Sequence, residues 1–140
     1  MPEDSNAAYN KALPLPSPDS VPFWDGAREH KLLIQKCRDC AAHWHPPSTI
    51  CPGCGARDDD WVESSGKGTV FSFVTYHRSY HEGWKGDIPY VVAVVELEEG
   101  ARILSNVVGI DVDKVVCDMK VEVMFEDVTE DVTLPKFKPV

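Results

Sequence analysis

Four of the five cysteines in this chain are spaced for metal binding. They form two C-x2-C pairs, Cys37-Arg38-Asp39-Cys40 and Cys51-Pro52-Gly53-Cys54, with ten residues between the pairs. Each pair can direct two thiolates at one ion, and four thiolates complete a tetrahedral shell around Zn²⁺. Gly53 and Gly55 suit the tight backbone that points N–H groups at the sulfurs. Because a closed shell leaves no position for water or substrate, the pattern predicts a structural zinc with four ligands: Cys37, Cys40, Cys51 and Cys54.

Two other interpretations of these cysteines are open. A pair of disulfides suits a secreted protein, but residues 1–10 are polar and lack the layout of a signal peptide. We therefore expect a cytoplasmic chain with reduced thiols. Iron held as in rubredoxin also fits four thiolates, although an electron carrier has no evident need of the strands that follow. We expect His43 and His45 to have loop roles, and Cys117 to be a buried apolar side chain.

The sequence contains no catalytic motif that we recognise. It has no G-x-S-x-G, no H-E-x-x-H, no phosphate-binding glycine loop and no dinucleotide fingerprint, so we predict no catalytic residue. The segment 77–87 gathers bases, aromatic residues and two histidines in an otherwise acidic chain. It is either a loop that meets a ligand or partner, or an exposed loop whose aromatic side chains pack on the fold.

The elements before and around the cysteines are short. Residues 1–20 are expected to form a flexible arm, because its prolines exclude a helix; its role is a lead-in or a strap over a partner surface. A helix is predicted over 21–30, with Ser20 as its cap and Pro22 in its first turn. A strand over 31–36 then leads into the first cysteine pair. The helix and the zinc ribbon together make a predicted unit over 21–65.

Residues 66–140 have the pattern of strands separated by turns. We predict five strands, at 69–77, 90–97, 102–109, 120–129 and 133–138, with one or two helical turns capped by Asp111 between the third and fourth. This is the layout of an OB-fold, and a generic five-stranded sandwich is the alternative. The predicted fold is therefore mainly β: a short N-terminal helix, a rubredoxin-like four-cysteine zinc ribbon and a C-terminal five-stranded OB-fold barrel.

The charge of the chain argues against two classes of partner. Its 23 acids and 14 bases give a formal net charge of −9, which repels phosphate backbones. No apolar run approaches the roughly 20 residues of a membrane span. We therefore expect neither nucleic acid nor a membrane as a partner.

With these elements assigned, the chain resembles the zinc-ribbon/OB-fold acyl-CoA-associated proteins, a family long known as a domain of unknown function. The resemblance covers about residues 21–140. Beside the cysteine pairs, it is carried by these stretches: Pro22-Phe23-Trp24-Asp25-Gly26-Ala27-Arg28-Glu29-His30, His45-Pro46-Pro47, Gly66-Lys67-Gly68-Thr69-Val70-Phe71-Ser72-Phe73, Ile88-Pro89-Tyr90-Val91-Val92-Ala93-Val94-Val95-Glu96-Leu97 and Leu134-Pro135-Lys136-Phe137-Lys138-Pro139.

The resemblance implies an accessory role. Members of the family associate with thiolase-like enzymes, among them ketothiolases, acyltransferases and retro-aldol lyases, and the partner supplies the catalytic groups. It therefore implies a hetero-oligomer with a thiolase-like catalytic subunit and a CoA thioester bound at the interface. The small subunit would shape or stabilise the active site. Asp118 stands where many relatives have glycine, and we expect its turn to survive because Asp tolerates the left-handed conformation.

Contact surfaces are enriched in aromatic residues and arginine, and two segments have this character. We predict that the loop after residue 77 lies at the partner interface, close enough to the CoA entrance for Arg78 or Lys85 to meet a phosphate. The competing interpretation is that its aromatic side chains pack over the end of the barrel. The predicted contact residues are Phe23, Trp24, Arg78, Tyr80, His81, Trp84 and Lys85.

Two other functions are retained as alternatives. An OB-fold that binds single-stranded nucleic acid could stack bases on Phe71, Phe73 and Tyr76, but the net charge opposes it. A stand-alone acyl-CoA enzyme could use His77 or His81, but neither has a recognisable nucleophile beside it in the sequence.

Overall fold

The computed structural model describes residues 9–140, so the first eight residues of the predicted arm lie outside the described part of the chain. Helix α1, Val21–Arg28, carries Pro22 in its first turn and buries Phe23, Gly26 and Ala27. Ser20 is the N-cap residue, as predicted, but its side chain makes no capping hydrogen bond. The Ser20 hydroxyl is held by the preceding turn instead, where it accepts from the Ser17 N–H at 2.9 Å.

The ribbon is a three-stranded antiparallel sheet of order β2-β1-β3. Its strands are β1 (Leu33–Cys37), β2 (His43–Trp44) and β3 (Asp59–Glu63). The sequence predicted the first strand at 31–36, so its predicted start is two residues too early. It did not predict β2 or β3. β2 is too short to show a period, and the acidic start of β3 resembles a loop; both are strands because they pair with β1.

The C-terminal region is a closed five-stranded barrel, which confirms the OB-type prediction and excludes the sandwich. Its strands are β4 (Lys67–Tyr76), β5 (Tyr90–Leu97), β6 (Arg102–Val107), β7 (Lys120–Asp127) and β8 (Thr133–Pro139). The order around the barrel is β4-β5-β6-β8-β7. Only β6 and β8 are parallel, and their ladder registers a single pair, Val107 with Phe137.

One face of each barrel strand forms the core. Along β5, alternate residues are buried, at Val91, Ala93, Val95 and Leu97, as expected for a period of two. Helix α1 lies against β1 and β8 and adds Phe23, which is 5% exposed, to the same core. Burial of a side chain of this size contributes about 2–3 kcal/mol, so α1 fastens the ribbon to the barrel.

The connection between β6 and β7 contains one short 3-10 turn, Val112–Lys114, and the Asp111 side chain makes no capping hydrogen bond there. Asp111 therefore occupies the predicted cap position, but its side chain does not contribute to the cap. Cys117 is exposed rather than buried, because Val115 is the residue of this turn that points into the core. Asp118 adopts φ 69°, and its N–H donates to the Val70 carbonyl at 2.8 Å, which confirms that the turn tolerates Asp.

The described part of the arm passes over the barrel end. The Lys11 ammonium lies 2.6 Å from an Asp87 carboxylate oxygen and 4.9 Å from the centre of the Trp84 ring. A side chain at Gly83 would stand 2.6 Å from the Asn10 carbonyl oxygen, so a glycine is needed where arm and loop meet.

The division into an arm, a ribbon unit and a barrel unit stays a prediction. Among residues 9–140, no helix has the length and apolar character needed to cross a membrane.

Candidate functional site

The four cysteines of the two C-x2-C pairs converge on one point. Their Sγ atoms all lie within 4.8 Å of one another, and the sulfurs of Cys37 and Cys54, like those of Cys40 and Cys51, are 3.6 Å apart. Zinc–sulfur bonds of about 2.3 Å in a tetrahedron place sulfurs about 3.8 Å apart, so the arrangement fits Zn²⁺. The sulfurs are too far apart for the S–S bond of about 2.05 Å; all five cysteines of the chain lie in the described residues and all are free.

The backbone of each pair supports the sulfurs. N–H groups of Cys40 and Gly53 donate to the sulfurs of Cys37 and Cys51 at 3.5 and 3.3 Å. Burial raises the pKa of Cys51, but N–H donors and neighbouring thiols lower it by more, to about 7. The residue after each pair is left-handed, Ala41 at φ 63° and Gly55 at φ 80°. At Cys51 the N–H donors thus favour the thiolate, the form of cysteine that binds metal. At Cys54 a backbone hydrogen bond also lowers the pKa, but neighbouring thiols and burial raise it to about 12.

A buried glutamine, which sequence reasoning missed, ties the loop between the cysteine pairs to β1. The side chain of Gln35, which is 4% exposed, donates to the Ser48 carbonyl at 2.7 Å and accepts from the Ser48 N–H at 2.9 Å. It also donates to an Asp59 carboxylate oxygen at 2.9 Å. A glutamine between Ile34 and Lys36, in a strand that leads into a cysteine, is a weak signal, and only the fold reveals its partners.

The two histidines between the pairs are not part of the metal cluster. His43 lies in β2. The His45 ring packs against Phe23 with centroids 4.9 Å apart, and burial lowers the pKa of His45 to about 4. His45 is therefore neutral at pH 7 and joins the ribbon to helix α1.

The loop between β4 and β5, residues 77–89, is partly packed and partly open. Its 3-10 turn, Glu82–Trp84, is capped by His81, whose Nδ1 accepts from the Gly83 N–H at 2.9 Å. The Trp84 ring lies 4.4 Å from the Tyr90 ring. Tyr90 in turn stacks on Tyr76 at 5.1 Å. Trp84 thus anchors the loop to the barrel end.

The remaining predicted contact residues of this loop face outward. Tyr80 is 75% exposed, and the Arg78 guanidinium lies 5.8 Å from the centre of its ring. Lys85 is exposed and its ammonium is 3.4 Å from a Glu82 carboxylate oxygen. We call residues Arg78–Lys85 the docking loop, and its open positions are Arg78, Tyr80, His81 and Lys85.

The N-terminal pair of predicted contact residues is placed differently. Phe23 belongs to the core and has almost no surface to offer a partner, so we leave it out of any contact surface. Trp24 is half-buried, and its ring meets that of Phe23 edge to face at 5.0 Å. The structure therefore does not bring this pair and the docking loop into one cluster.

Two family descriptions match the chain across most of its length. Residues 24–60 match the ChsH2 rubredoxin-like zinc ribbon domain, and residues 61–126 match the ChsH2 C-terminal OB-fold domain. The chain belongs to the ChsH2/DUF35 family. The four-cysteine cluster of this chain is therefore that of a zinc ribbon, which supports a structural zinc.

Similar proteins are subunits and scaffolds. A probable enoyl-CoA hydratase alpha subunit of Thermomonospora curvata is 42% identical over 118 residues, which cover 84% of this chain and 36% of that subunit. The chain thus spans about a third of the length of this relative. A DUF35 domain-containing scaffold protein of Methanocaldococcus jannaschii is 34% identical over 128 residues, covering 86% of this chain and 90% of the scaffold.

A solved structure described as the Ltp2-ChsH2(DUF35) aldolase contains a chain of the same fold. The two superpose with a TM-score of 0.82 at 38% sequence identity, covering 91% of this chain and 98% of that one. Relatives of this chain are thus components of complexes that act on CoA thioesters or contain an aldolase, consistent with an accessory role.

Proposed function

We propose that this protein is a non-catalytic subunit of a complex whose thiolase-like partner breaks or forms a carbon–carbon bond in an acyl-CoA thioester. The likeness to the aldolase component carries this proposal, because it covers 98% of that chain at 38% identity. A partner of this class supplies the catalytic groups, and the present chain shapes or stabilises the active site. We place the complex in the cytoplasm, where the four thiols stay reduced.

The chemistry of the chain's own side chains supports an accessory role. His81 uses Nδ1 to cap a 3-10 turn. The nearby Ser79 hydroxyl donates to the His81 carbonyl oxygen at 2.6 Å, not to an imidazole. A nucleophile needs a base within hydrogen-bond reach. The hydrogen bond of Ser79 goes to a carbonyl oxygen, which is not a base that could activate the hydroxyl. A stand-alone enzyme at this loop is therefore disfavoured.

The aromatic side chains that could stack nucleic-acid bases have other partners. The Arg102 guanidinium lies 3.7 Å from the centre of the Phe71 ring, Phe73 packs against the core, and Tyr76 stacks on Tyr90. A stacking platform needs an open ring face and a basic groove. These contacts and the net charge of −9 disfavour nucleic acid.

We propose that CoA enters beside the docking loop. Lys85 lies at the end of this loop and is exposed, and its ammonium pairs with the exposed carboxylate of Glu82. Such a surface ion pair is worth about 0–1 kcal/mol, so a CoA phosphate can replace Glu82 as the partner of Lys85. Arg78 has a different position, next to an apolar surface of the barrel.

A hydratase complex is the second candidate, favoured by the 42% identity to a hydratase alpha subunit. That subunit is about three times longer than the matched region, so most of it has no counterpart in this chain. In the aldolase complex, the matched chain is covered to 98% by this one, so it has no large additional region. We therefore prefer carbon–carbon bond chemistry.

The test is reconstitution with purified thiolase-like proteins of the source organism. Three substrates separate the reactions: a 3-hydroxyacyl-CoA for retro-aldol cleavage, a 3-ketoacyl-CoA for thiolysis and a 2-enoyl-CoA for hydration. We expect no turnover by the chain alone, and cleavage or thiolysis when the partner is present. Turnover by the isolated chain that disappears in His77→Ala or His81→Ala would overturn the proposal. Hydration as the sole activity of the complex would favour the hydratase.

A further inference from the structure

The outer face of the barrel is unusually apolar where β4, β5 and β6 run side by side. Antiparallel sheets with one solvated face normally alternate apolar and polar residues. In β5 the alternation is missing: Val92 and Val94 lie between the buried positions and point away from the core. A strand that is apolar on both faces indicates that both faces are covered in the working protein.

The strand registers place these residues in neighbouring rows. Val74 pairs with Val92, which pairs with Asn106. In the next row Ser72 pairs with Val94, which pairs with Leu104. Directly opposed side chains have Cβ atoms about 5 Å apart, so the apolar members form one continuous surface. We call the outer strip these four residues, Val74, Val92, Val94 and Leu104, together with Phe71, which lies in the bulge of β4 between Val70 and Ser72.

The outer strip is open on this chain. Phe71 is 48%, Val74 55% and Leu104 68% exposed. At one end, Arg102 lies over Phe71 and donates to a Glu96 carboxylate oxygen at 3.0 Å. This ion pair gives the strip a polar border, as contact surfaces have around an apolar centre.

The other end of the strip leads into the docking loop. Val74 lines the same surface depression as Arg78 and Tyr80. Within residues 9–140, no acidic side chain forms an ion pair with Arg78, whereas Lys85 in the same loop pairs with Glu82. An arginine that pairs with no acid of residues 9–140 and lies beside an apolar surface, in a chain of net charge −9, is complementary to a carboxylate on a partner.

Charge also selects the kind of occupant. Two copies of this chain bring together two net charges of −9, and an anionic lipid surface is repelled in the same way. Strand spacings make the strip about 10 Å by 15 Å, smaller than the ~800 Å² that each partner buries in a stable complex. The strip is therefore the centre of a larger contact that includes the docking loop.

We propose that the outer strip and Arg78 together seat the catalytic subunit, which presents an apolar segment bordered by a carboxylate that meets Arg78. This inference rests on the proposed function and adds to it the surface used and the chemistry of the partner's matching face. The docking loop then belongs to this contact at Arg78 and reaches the proposed CoA entrance at Lys85.

The experiment measures the affinity of the full chain for the purified thiolase-like subunit, without and with acyl-CoA. Val74→Ser is compared with Val116→Ser, because both valines are 55% exposed and Val116 lies outside the strip. Arg78→Glu is compared with Arg57→Glu, a second exposed arginine, in the cysteine-pair region. Melting temperatures confirm that each variant is folded, and the arginine variants answer the question if Val74→Ser fails to fold.

We expect Val74→Ser and Arg78→Glu each to weaken binding about tenfold or more, and both controls to change it less than about twofold. Equal effects of test and control variants, in a complex that still turns over acyl-CoA, overturn the strip and leave the proposed function intact. An effect of Arg78→Glu seen only with acyl-CoA present assigns Arg78 to a CoA phosphate and overturns the carboxylate. A dimer of the chain alone that Val74→Ser dissociates overturns the choice of occupant. No binding by the unaltered chain overturns both proposals.

Discussion

The four-cysteine centre and the outer strip differ in how far their side chains find partners within this chain. At the cysteine centre, four sulfurs face one another within 4.8 Å, and backbone N–H groups donate to two of them. On the outer strip, Val74 and Leu104 are more than half exposed. A closed arrangement holds a fold together, whereas a contiguous exposed apolar surface is typical of a site that contacts a partner.

This difference separates residues that hold the fold together from residues that we propose contact a partner. The zinc ribbon has no free coordination position and contributes by keeping β1, β2 and β3 together. Arg78 and Tyr80 contact little of their own chain and are free to contact another. Trp84 and His45 fall between the two types, because each joins regions of the same chain.

The largest expected effect is at the cysteine centre. Cys51→Ser removes a buried ligand, and a structural zinc contributes on the order of 10 kcal/mol to a unit of this size. We expect elemental analysis to find about one zinc per unaltered chain, and loss of zinc and of ribbon structure in Cys51→Ser. Cys117→Ser is the control, because this exposed cysteine lies outside the cluster. Iron in place of zinc, or an intact ribbon in metal-free Cys51→Ser, would contradict this prediction.

A smaller effect tests whether Trp84 stabilises the fold or contacts the partner. Trp84→Ala removes the contact with Tyr90 at 4.4 Å, so we expect the free energy of unfolding to fall by about 2 kcal/mol. Tyr80→Ala and Lys85→Ala alter exposed positions and should change it by about 0.5 kcal/mol or less. Denaturant unfolding measures stability, and partner binding is measured separately. Unchanged unfolding of Trp84→Ala with weakened assembly would make Trp84 a contact residue.

The smallest effect concerns the junction between ribbon and barrel. Burial lowers the pKa of His45 to about 4 in the folded chain, below the ordinary value of about 6.5. The folded state therefore binds fewer protons than the unfolded state. The contribution of neutral His45 to the free energy of unfolding is complete above pH 6.5 and is lost as the pH falls towards 4. We expect a loss on the order of 1–2 kcal/mol at pH 5 relative to pH 7.

Zinc also dissociates in acid, so the control for this prediction must keep the ribbon and remove only the histidine. His45→Phe preserves the aromatic contact with Phe23 and should unfold with a weaker dependence on pH between 7 and 5, at equal zinc content. An identical pH dependence in the variant would show that His45 does not contribute.

Sequence reasoning succeeded where chemistry is local. The spacing of Cys37, Cys40, Cys51 and Cys54 specifies a tetrahedral site whatever surrounds it. Long alternating or β-branched stretches identified all five barrel strands, because period and residue type are properties of a short segment. Strand ends were less accurate: β4 begins two residues before the predicted start.

Failures occurred where a residue's state depends on distant parts of the chain. Cys117 was expected to be buried from its type, but the turn that carries it faces outward. Phe23 is of a residue type that is common in contact surfaces, yet the fold places it in the core. The apolar run of β5 carried a usable signal for the outer strip, since continuous apolarity implies two covered faces; which residues of β4 and β6 join it depends on register.

By itself, the sequence determined a metal-ligand set, the strand-rich character of residues 66–140 and a family whose zinc ribbon and OB-fold match residues 24–126. Only the tertiary structure decided which aromatic side chains anchor the fold and which are free. Trp84 and Tyr80 are four residues apart and chemically alike, but one packs on Tyr90 and the other is 75% exposed. Exposure is set by what the rest of the chain places beside a residue, and strand pairing brings residues distant in sequence into contact.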